Sequence, residues 1–250
     1  MKLITVNGIT KSGKTTVCET IIAGLRERGY TVGSVKEIHY ELFKIDPLET
    51  TNTNRHKKAG SQLVTARGMF ETDILYQSMI SMEEILRHYD HDYVVLEGVT
   101  DINVPKIITA HNTKEIDERL DSKTVLISGV IANEGLKEWG GVKVLNVLEN
   151  PKELIDLVER VATEAMPSFD PDCCTECGYT CDELTGKIIH GEAKKSDCIL
   201  QEQEVQLKVD GYDISMVPFV QTILKNAAMA VVQELDGCRK DGIVEIKFKI

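Results

Sequence analysis

Long apolar runs are missing from this sequence of 250 residues. No stretch reaches the roughly 20 apolar residues that a helix needs to span a bilayer, and the first residues lack the basic-then-apolar order of a signal peptide. Positive charge is also scarce, because 29 Lys and Arg residues stand against 40 Asp and Glu residues and the net charge is −11. Nucleic acids and membrane surfaces are anionic and repel such a protein. We therefore expect a cytoplasmic protein that binds neither, although a local site for a small nucleotide fits this composition.

Strand-like and helix-like patterns alternate in the first part of the chain. Five apolar runs are typical of parallel strands, which are buried on both faces. They occupy residues 2–7, 29–36, 91–98, 123–133 and 142–147. Helical periodicity follows the first of these runs at 15–28 and the last at 151–165. The pattern predicts an α/β fold with a mostly parallel sheet flanked by helices.

A glycine-rich loop follows the first of these runs. The sequence GITKSGKTT matches the pattern G-x-x-x-x-G-K-S/T at its fixed positions Gly8, Gly13, Lys14 and Thr15. In such a P-loop, backbone N–H groups surround the phosphates, the lysine neutralises the β- and γ-phosphates, and the hydroxyl binds Mg²⁺. A helix also begins here, and its N-terminal dipole favours an anion. We predict a P-loop NTPase whose nucleotide contacts come from Gly8, Thr10, Lys11, Ser12, Gly13, Lys14, Thr15 and Thr16.

An acidic partner for this loop is expected at the end of another strand. The run YVVLEG places Glu97 directly after four apolar residues. A carboxylate in that position holds Mg²⁺ or a water bound to it. We predict Thr15 and Glu97 as Mg²⁺ ligands, and Lys14 and Glu97 as catalytic groups. The alternative is a glutamate that merely ends a strand.

Four segments, in their order along the chain, resemble the molybdopterin-guanine dinucleotide biosynthesis protein B family. They are GITKSGKTT, SVKEIHYELFKID, NRHKKAG and LEGVTDINVPKI, and the resemblance covers roughly residues 1–160. It implies a GTP-binding P-loop protein that forms a homodimer through its α/β domain and assists nucleotide attachment to the molybdenum cofactor. It also implies a client, either another cofactor-biosynthesis protein or a molybdoenzyme. Glu37 stands where the family usually has a histidine, which leaves a different metal-cofactor client open.

The resemblance also assigns individual residues. Lys36, His39 and Asp46 match a segment of the family that would contact the nucleotide and sense its γ-phosphate. Arg55 matches the family's arginine and is the nearest candidate for an arginine finger, which makes it a third catalytic candidate. Because no water-positioning glutamine is visible, we expect weak, slow GTPase activity at most.

The base is harder to assign than the phosphates. The Asn-Lys-x-Asp run with which Ras-like GTPases read guanine is absent, so GTP is favoured over ATP only through the resemblance. Asn133 ends a predicted strand at GVIAN, where a base-reading side chain and an ordinary turn are equally compatible with the sequence. His111, after PKIITA, is expected in a surface loop, with the nucleotide cleft as the alternative.

Five of the seven cysteines fall between residues 173 and 198. In a reducing cytoplasm such a group more often binds metal than forms disulfides, and close thiolates with a distant fourth suit four-fold sulfur ligation. The pattern resembles the small four-iron–four-sulfur (4Fe-4S) domains of corrinoid proteins and electron-transfer subunits. Zinc, with His190 as a further ligand, and free redox thiols are the alternatives. The predicted ligands are Cys174, Cys177, Cys181 and Cys198, with Cys173 as a substitute for Cys174.

These features divide the chain into three parts. We predict a nucleotide-binding domain at 1–165, a cysteine-rich iron–sulfur module at 166–203 and a strand-helix-strand segment at 204–250. The predicted function is that of a GTP-binding accessory protein in molybdenum cofactor biosynthesis. The alternative is a nucleotide-gated iron–sulfur redox switch or electron carrier. A small-molecule kinase would need an acceptor site with its own base, to which the sequence does not point.

Overall fold

The chain forms two compact units, Met1–Met166 and Pro167–Ile250. The structure is a computed structural model. It describes residues 1–39, 50–166, 174–175, 177–198, 205–209, 212–214, 216–235 and 244–245. Within these ranges, no helix combines the length and the apolar composition needed to span a bilayer.

The described part of the first unit contains a central parallel sheet and two antiparallel hairpins. Its strands are β1 (Lys2–Gly8), β2 (Val32–Lys36), β3 (Leu63–Arg67), β4 (Thr72–Tyr76), β5 (Tyr93–Glu97), β6 (Lys106–Thr109), β7 (Thr124–Ser128), β8 (Glu138–Trp139) and β9 (Val142–Lys143). The central sheet has the order β2-β5-β1-β6-β7, and each neighbouring pair is parallel. The hairpins are β3–β4 and β8–β9.

The first unit has five described α-helices, and helices cover both faces of the central sheet. They are α1 (Lys14–Glu27), α2 (Asn52–Lys58), which packs against β3, α3 (Met82–Leu86), α4 (Thr113–Asp117) and α5 (Pro151–Val161). On one face, Ile4 of β1 packs in a core with Ile21 of α1 and Leu154 of α5. On the other face, Leu3 packs with Leu96 and with the apolar side of α3, because successive strand residues point to opposite faces. The predicted α/β fold, with a mostly parallel sheet flanked by helices, is confirmed.

The fourth strand of the sheet differs from the sequence prediction. The pattern does not predict β6, whose four residues KIIT form too short an apolar run to stand out and are buried by β1 and β7 on either side. The run at 142–147, predicted as a strand of this sheet, contributes only β9 and one parallel bridge between Val144 and Ile127.

The strand predicted at 123–133 is also shorter in the structure. β7 ends at Ser128, and Gly129 then turns the chain with a φ of 85°. A 3-10 helix, Val130–Glu134, follows. Glycine is the residue for which such a positive φ costs least, so this single position ends the strand.

The second unit contains two α-helices, a short 3-10 helix (Lys195–Asp197) and one antiparallel strand pair in its described part. The α-helices and the strand pair are α6 (Cys181–Ile189), α7 (Pro218–Val232), and the antiparallel pair β10 (Leu207–Val209) and β11 (Tyr212–Ile214). The strand predicted at 205–212 is shorter in the structure, where β10 covers its middle, and β11 was not predicted. α7 matches the helix predicted at 217–235. Of the last strand, predicted at 243–250, Val244 and Glu245 lie in neither helix nor strand, and the other residues are outside the described ones.

Candidate nucleotide site

The P-loop connects β1 to α1. Lys14 folds back over it, and its Nζ donates hydrogen bonds to the carbonyl oxygens of Gly8 (2.9 Å) and Ile9 (2.6 Å). Gly13 directly precedes α1, has a φ of 106° and offers no side chain that could cap the helix. The N–H groups of the first helical turn are therefore available to an anion, which the helix dipole also favours.

Ser12 anchors the loop to the sheet. Its side chain is fully buried, and its Oγ donates to the carbonyl oxygen of Ile9 at 2.8 Å. The same Oγ lies 2.7 Å from the hydroxyl of Thr109, the last residue of β6. Thr109, at the end of β6, thus anchors the loop through Ser12. The pattern of fixed P-loop positions does not reveal this interaction.

Gly129 is a second anchor that sequence analysis missed. The N–H of the following residue, Val130, donates to the carbonyl oxygen of Ser12 at 3.1 Å. A Cβ on Gly129 would lie 2.1 Å from that same oxygen, so only glycine permits this approach. The available signal was the Ser-Gly step inside the run at 123–133, because a glycine within a strand pattern often marks a close backbone approach.

Thr15, Glu97 and Lys36 meet beside the loop. The hydroxyl of Thr15 donates to Oε1 of Glu97 at 2.8 Å, and Nζ of Lys36 donates to the same oxygen. The parallel sheet creates this meeting point, because Glu97 is the last residue of β5 and is paired with Lys36 of β2 and Val6 of β1. Thr15 and Glu97, predicted as a pair, are therefore in contact, and Lys36, predicted separately, contacts the same carboxylate.

Glu97 is buried yet ionised. Burial alone would raise the pKa of Glu97, but hydrogen bonds from Lys36 and Thr15 and the charges of Lys36 and Lys14 outweigh burial and hold this pKa below its ordinary value. Burial lowers the pKa of Lys14, while the carboxylate of Glu97 opposes that change. A deprotonated carboxylate is the form that ligates a metal ion.

Comparison with known proteins gives a family match that lies within the first unit. The family model of molybdopterin guanine dinucleotide synthesis protein B, MobB, matches residues 3–133, slightly more than half of the chain. The chain belongs to the MobB family. The matched residues include the P-loop, Lys36, Glu97 and Asn133, and they end before the cysteine-rich segment.

Two individual proteins that are similar to this chain have names that fit the same family. A Methanocaldococcus jannaschii protein, provisionally named a molybdopterin-guanine dinucleotide biosynthesis adapter protein, is 26% identical over 259 residues that span 100% of this chain and 98% of that protein. The crystal structure of Bacillus subtilis MobB superposes with a TM-score of 0.52 at 21% identity and covers 64% of this chain and 96% of that structure. Because the identity is 21%, the similarity to the B. subtilis structure shows a shared fold and nothing further.

The remaining loop positions are accessible. Thr10 and Lys11 are exposed, and Thr16 is half-buried in the first turn of α1. Lys11 has a φ of 63°, a positive value that is uncommon for a residue with a side chain. All predicted P-loop contacts therefore lie on one connected segment.

The segment after β2 is only partly described. His39 is exposed, and its Nδ1 lies 4.0 Å from the carboxylate of Glu37. Its Nε2 is close to Gly98, since a Cβ built there would be 3.9 Å away. His39 is thus beside the residue that follows Glu97, whereas Asp46 lies outside the described residues.

Arg55, the predicted arginine finger, lies on α2. It is exposed on α2, a helix that begins with a cap from the Thr51 side chain and packs against β3. Among the described residues, the hydrogen bonds and ion pairs of the P-loop do not involve Arg55. Its predicted role as an arginine finger stays a prediction.

Asn133 and His111 occupy the same end of the sheet as the loop. Asn133 lies in the 3-10 helix after β7, and its Oδ1 accepts from Nδ2 of Asn146 at 3.0 Å. His111 follows β6, and its Nε2 lies 3.1 Å from the carbonyl oxygen of Lys11. His111 thus lies in a loop, half-buried, and its ring contacts the P-loop itself, a contact that the sequence did not reveal.

The cysteine segment begins beyond the MobB family match. Cys174 and Cys198 are buried, Cys177 and Cys181 are half-buried, and all four are free thiols. Within the described residues, no three His, Cys, Asp or Glu side chains are grouped as they would be around a metal ion, and Cys173 lies outside them. The predicted four-thiolate group is thus not assembled in this part of the structure.

Proposed function

We propose that this chain is a GTP-binding adapter protein in molybdopterin guanine dinucleotide biosynthesis. The MobB family and the M. jannaschii relative support the pathway. The contact between Thr15 and Glu97, beside a P-loop with every fixed position filled, carries the proposal of nucleotide binding. We place the protein in the cytoplasm together with its client, another cofactor-biosynthesis protein or a molybdoenzyme.

The residues of the site fit a magnesium nucleotide. Mg²⁺ prefers oxygen ligands and is usually held by one or two protein groups together with phosphate oxygens. The hydroxyl of Thr15 and the ionised carboxylate of Glu97 are such a pair, 2.8 Å apart. When bound, Mg²⁺ supplies positive charge to the phosphate oxygens. Lys14 and the first-turn N–H groups of α1 would bind the remaining phosphate charge.

Lys36 would couple nucleotide binding to the position of residues 37–39. Its ammonium group donates to the Glu97 oxygen that also accepts from Thr15, so it competes with any cation for that oxygen. We expect nucleotide binding to release Lys36 from Glu97 and to shift residues 37–39, which continue directly from β2. Hydrolysis would be slow, because Arg55 is exposed and, within the described residues, makes no hydrogen bond or ion pair with the P-loop.

A homodimer of the first unit is part of the proposal. The hairpin formed by β3 and β4 exposes large apolar side chains at its tip, where Met69 is 94% exposed and Phe70 is 99% exposed. Leu63 and Ile74 on the strands are also about half exposed. Side chains of this kind usually mark a protein contact, and a second copy of the chain is the partner that the family resemblance implies.

A metal-binding role for the cysteines remains a proposal for the second unit. Cys181 is the first residue of α6 and lies inside the capping box that Thr180 and Glu183 form, so a thiolate there would be stabilised by the helix N-terminus. We propose a 4Fe-4S cluster on Cys177, Cys181, Cys198 and either Cys174 or Cys173, with zinc as the alternative metal. A nucleotide-gated redox switch would require this cluster.

Titration calorimetry with GTP and ATP tests the nucleotide proposal. Wild-type protein should bind GTP with Mg²⁺ more tightly than ATP. Lys14→Ala should weaken GTP binding by roughly tenfold or more, since it removes charge-assisted hydrogen bonds to phosphate. Lys152→Ala, an exposed lysine on α5, is the matched control and should bind like the wild type. Equal affinities for all three proteins would contradict the proposed site.

A further inference from the structure

The ring of His111 connects the P-loop to α4. Its Nε2 lies 3.1 Å from the carbonyl oxygen of Lys11, and its Nδ1 lies 3.2 Å from Oε2 of Glu115. The backbone N–H of His111 donates to that same carboxylate oxygen at 2.8 Å. Asn112, the cap of α4, donates its side-chain amide to the other oxygen of Glu115 at 3.0 Å. Two hydrogen bonds that do not involve the ring therefore hold the Glu115 carboxylate in position.

Both partners of the ring are hydrogen-bond acceptors. A backbone carbonyl oxygen carries no proton, and the hydrogen bond from the His111 backbone, with others from its side chain and Asn112, lowers the pKa of Glu115 and keeps it ionised. Neutral imidazole has one N–H group and makes only one of the two bonds, whereas imidazolium has two N–H groups and makes both. Of the described residues, Glu115 of α4 bonds to the ring through its charged carboxylate, and Lys11 of the loop bonds to it through its uncharged backbone carbonyl.

The carbonyl that His111 contacts lies at a strained position. Lys11 is the one non-glycine residue with a positive φ in the described part of the chain. The peptide group that it forms with Ser12 is held at both ends, because the Ser12 N–H donates to the carbonyl oxygen of Ile9 at 3.3 Å. Rotation of this peptide would redirect the neighbouring N–H groups, which are the ones that surround phosphates in a P-loop.

We propose that His111 is a positioning residue of the P-loop, which in its imidazolium form ties the Lys11 carbonyl to Glu115 and thereby strengthens nucleotide binding. The inference rests on the proposed nucleotide site. Protonation at Nδ1 keeps the bond to Glu115 and leaves Nε2–H directed at the loop. When the ring loses a proton, one of the two bonds breaks and the loop loses its tie to α4. Affinity for a nucleotide should then fall as pH rises.

The test is the affinity for GTPγS with Mg²⁺, measured from about pH 5.5 to about pH 8.5. The amide of His111→Gln keeps a donor near the position of Nε2 but does not titrate. The ratio of wild-type affinity to His111→Gln affinity should fall about fivefold across this range, the factor for one ordinary hydrogen bond. This ratio cancels the titration of the nucleotide itself. His88→Gln, a surface histidine that contacts Tyr76, is the control and should follow the wild type. A constant ratio would overturn the proposal.

A second measurement needs no nucleotide. In the full-length protein, the ¹H–¹⁵N resonance of the Ser12 amide should move with pH in the wild type and stay fixed in His111→Gln. If GTPγS binds to the wild type and not to Lys14→Ala while this resonance stays fixed in both proteins, the role of His111 fails and the nucleotide site stands. If GTPγS does not bind at all, the proposed function fails, and the Ser12 resonance still decides whether His111 controls the loop.

Discussion

The hydroxyl of Thr15 and the carboxylate of Glu97 are in hydrogen-bond contact across 82 residues of sequence, at 2.8 Å. One belongs to the first turn of α1 and the other to the end of β5, and the β1–β5 pairing brings them together. Lys36 donates to the same carboxylate oxygen. The site is thus organised around one buried, ionised glutamate whose charge is balanced by lysines.

The ionised state of Glu97 predicts a loss of stability in acid. Its pKa in the folded protein is held below the ordinary value of 4.5, so the folded state favours the carboxylate. That contribution is fully present above about pH 4.5 and is lost as pH falls through the lower folded pKa. Urea denaturation should therefore show the stability difference between wild type and Glu97→Gln shrinking below this pH.

Gln77→Ala serves as the control for this acid effect. Gln77 is exposed and carries no ionisable group, so its replacement should leave a stability difference that does not change with pH. A wild-type advantage over Glu97→Gln that stays constant from neutral pH down to about pH 3 would contradict the assigned ion pair.

Substitution of Gly129 should damage both stability and nucleotide binding. Gly129 has a φ of 85° and a ψ of −151°, a combination essentially confined to glycine, and a Cβ there would lie 2.1 Å from the Ser12 carbonyl oxygen. Gly135 has a φ of 83° and a ψ of 4°, in the left-handed helical region, and a Cβ there would meet nothing within 4 Å. Gly135→Ala should cost about 1 kcal/mol from backbone strain. Gly129→Ala should cost a further 1–3 kcal/mol, roughly, from overpacking and from its less accessible backbone conformation, and should also weaken GTP binding. Urea denaturation and calorimetry check these values, and equal effects at both positions would refute the anchor.

Sequence analysis identifies the P-loop because the chemistry of such a loop requires fixed residues at fixed spacing, while its binding of phosphate stays a prediction. Gly8, Gly13, Lys14 and Thr15 form such a pattern, and Glu97 follows a recognisable strand. Sequence analysis misses Gly129 and does not favour the loop contact of His111, since each acts through a backbone carbonyl of the loop and no spacing rule connects them to it. It also misses β6, because burial of a four-residue strand is decided by its neighbours and not by its own pattern.

Protein purified without oxygen should test the metal proposal. We expect a brown protein with about four iron atoms and about four sulfides per chain, as a cubane cluster on four thiolates requires. Serine at Cys177, Cys181 or Cys198 should remove the colour. Cys18→Ala should not, because burial in the core of the first unit raises the pKa of Cys18 to about 12 and keeps it a thiol. Colourless protein with stoichiometric zinc would replace the cluster by a structural metal.

Light scattering at micromolar concentration should show a dimer. Phe70→Glu places a charge at the tip of the β3–β4 hairpin and should shift the protein towards the monomer, since the exposed apolar tip is the proposed contact. Phe219→Glu changes an equally apolar residue, 72% exposed on α7, and should leave the dimer intact. A wild-type monomer with and without GTP would exclude the proposed dimer.

The most direct test of the central claim is calorimetric titration with GTP, in Mg²⁺ and in EDTA, of the wild type and Glu97→Gln. We predict Mg²⁺-dependent binding by the wild type, because Thr15 and Glu97 are the protein ligands that we propose for the metal. Glu97→Gln should lose roughly tenfold or more in Mg²⁺ and bind like the wild type in EDTA. Wild-type protein that binds no GTP, or that binds it equally with and without Mg²⁺, would contradict the account.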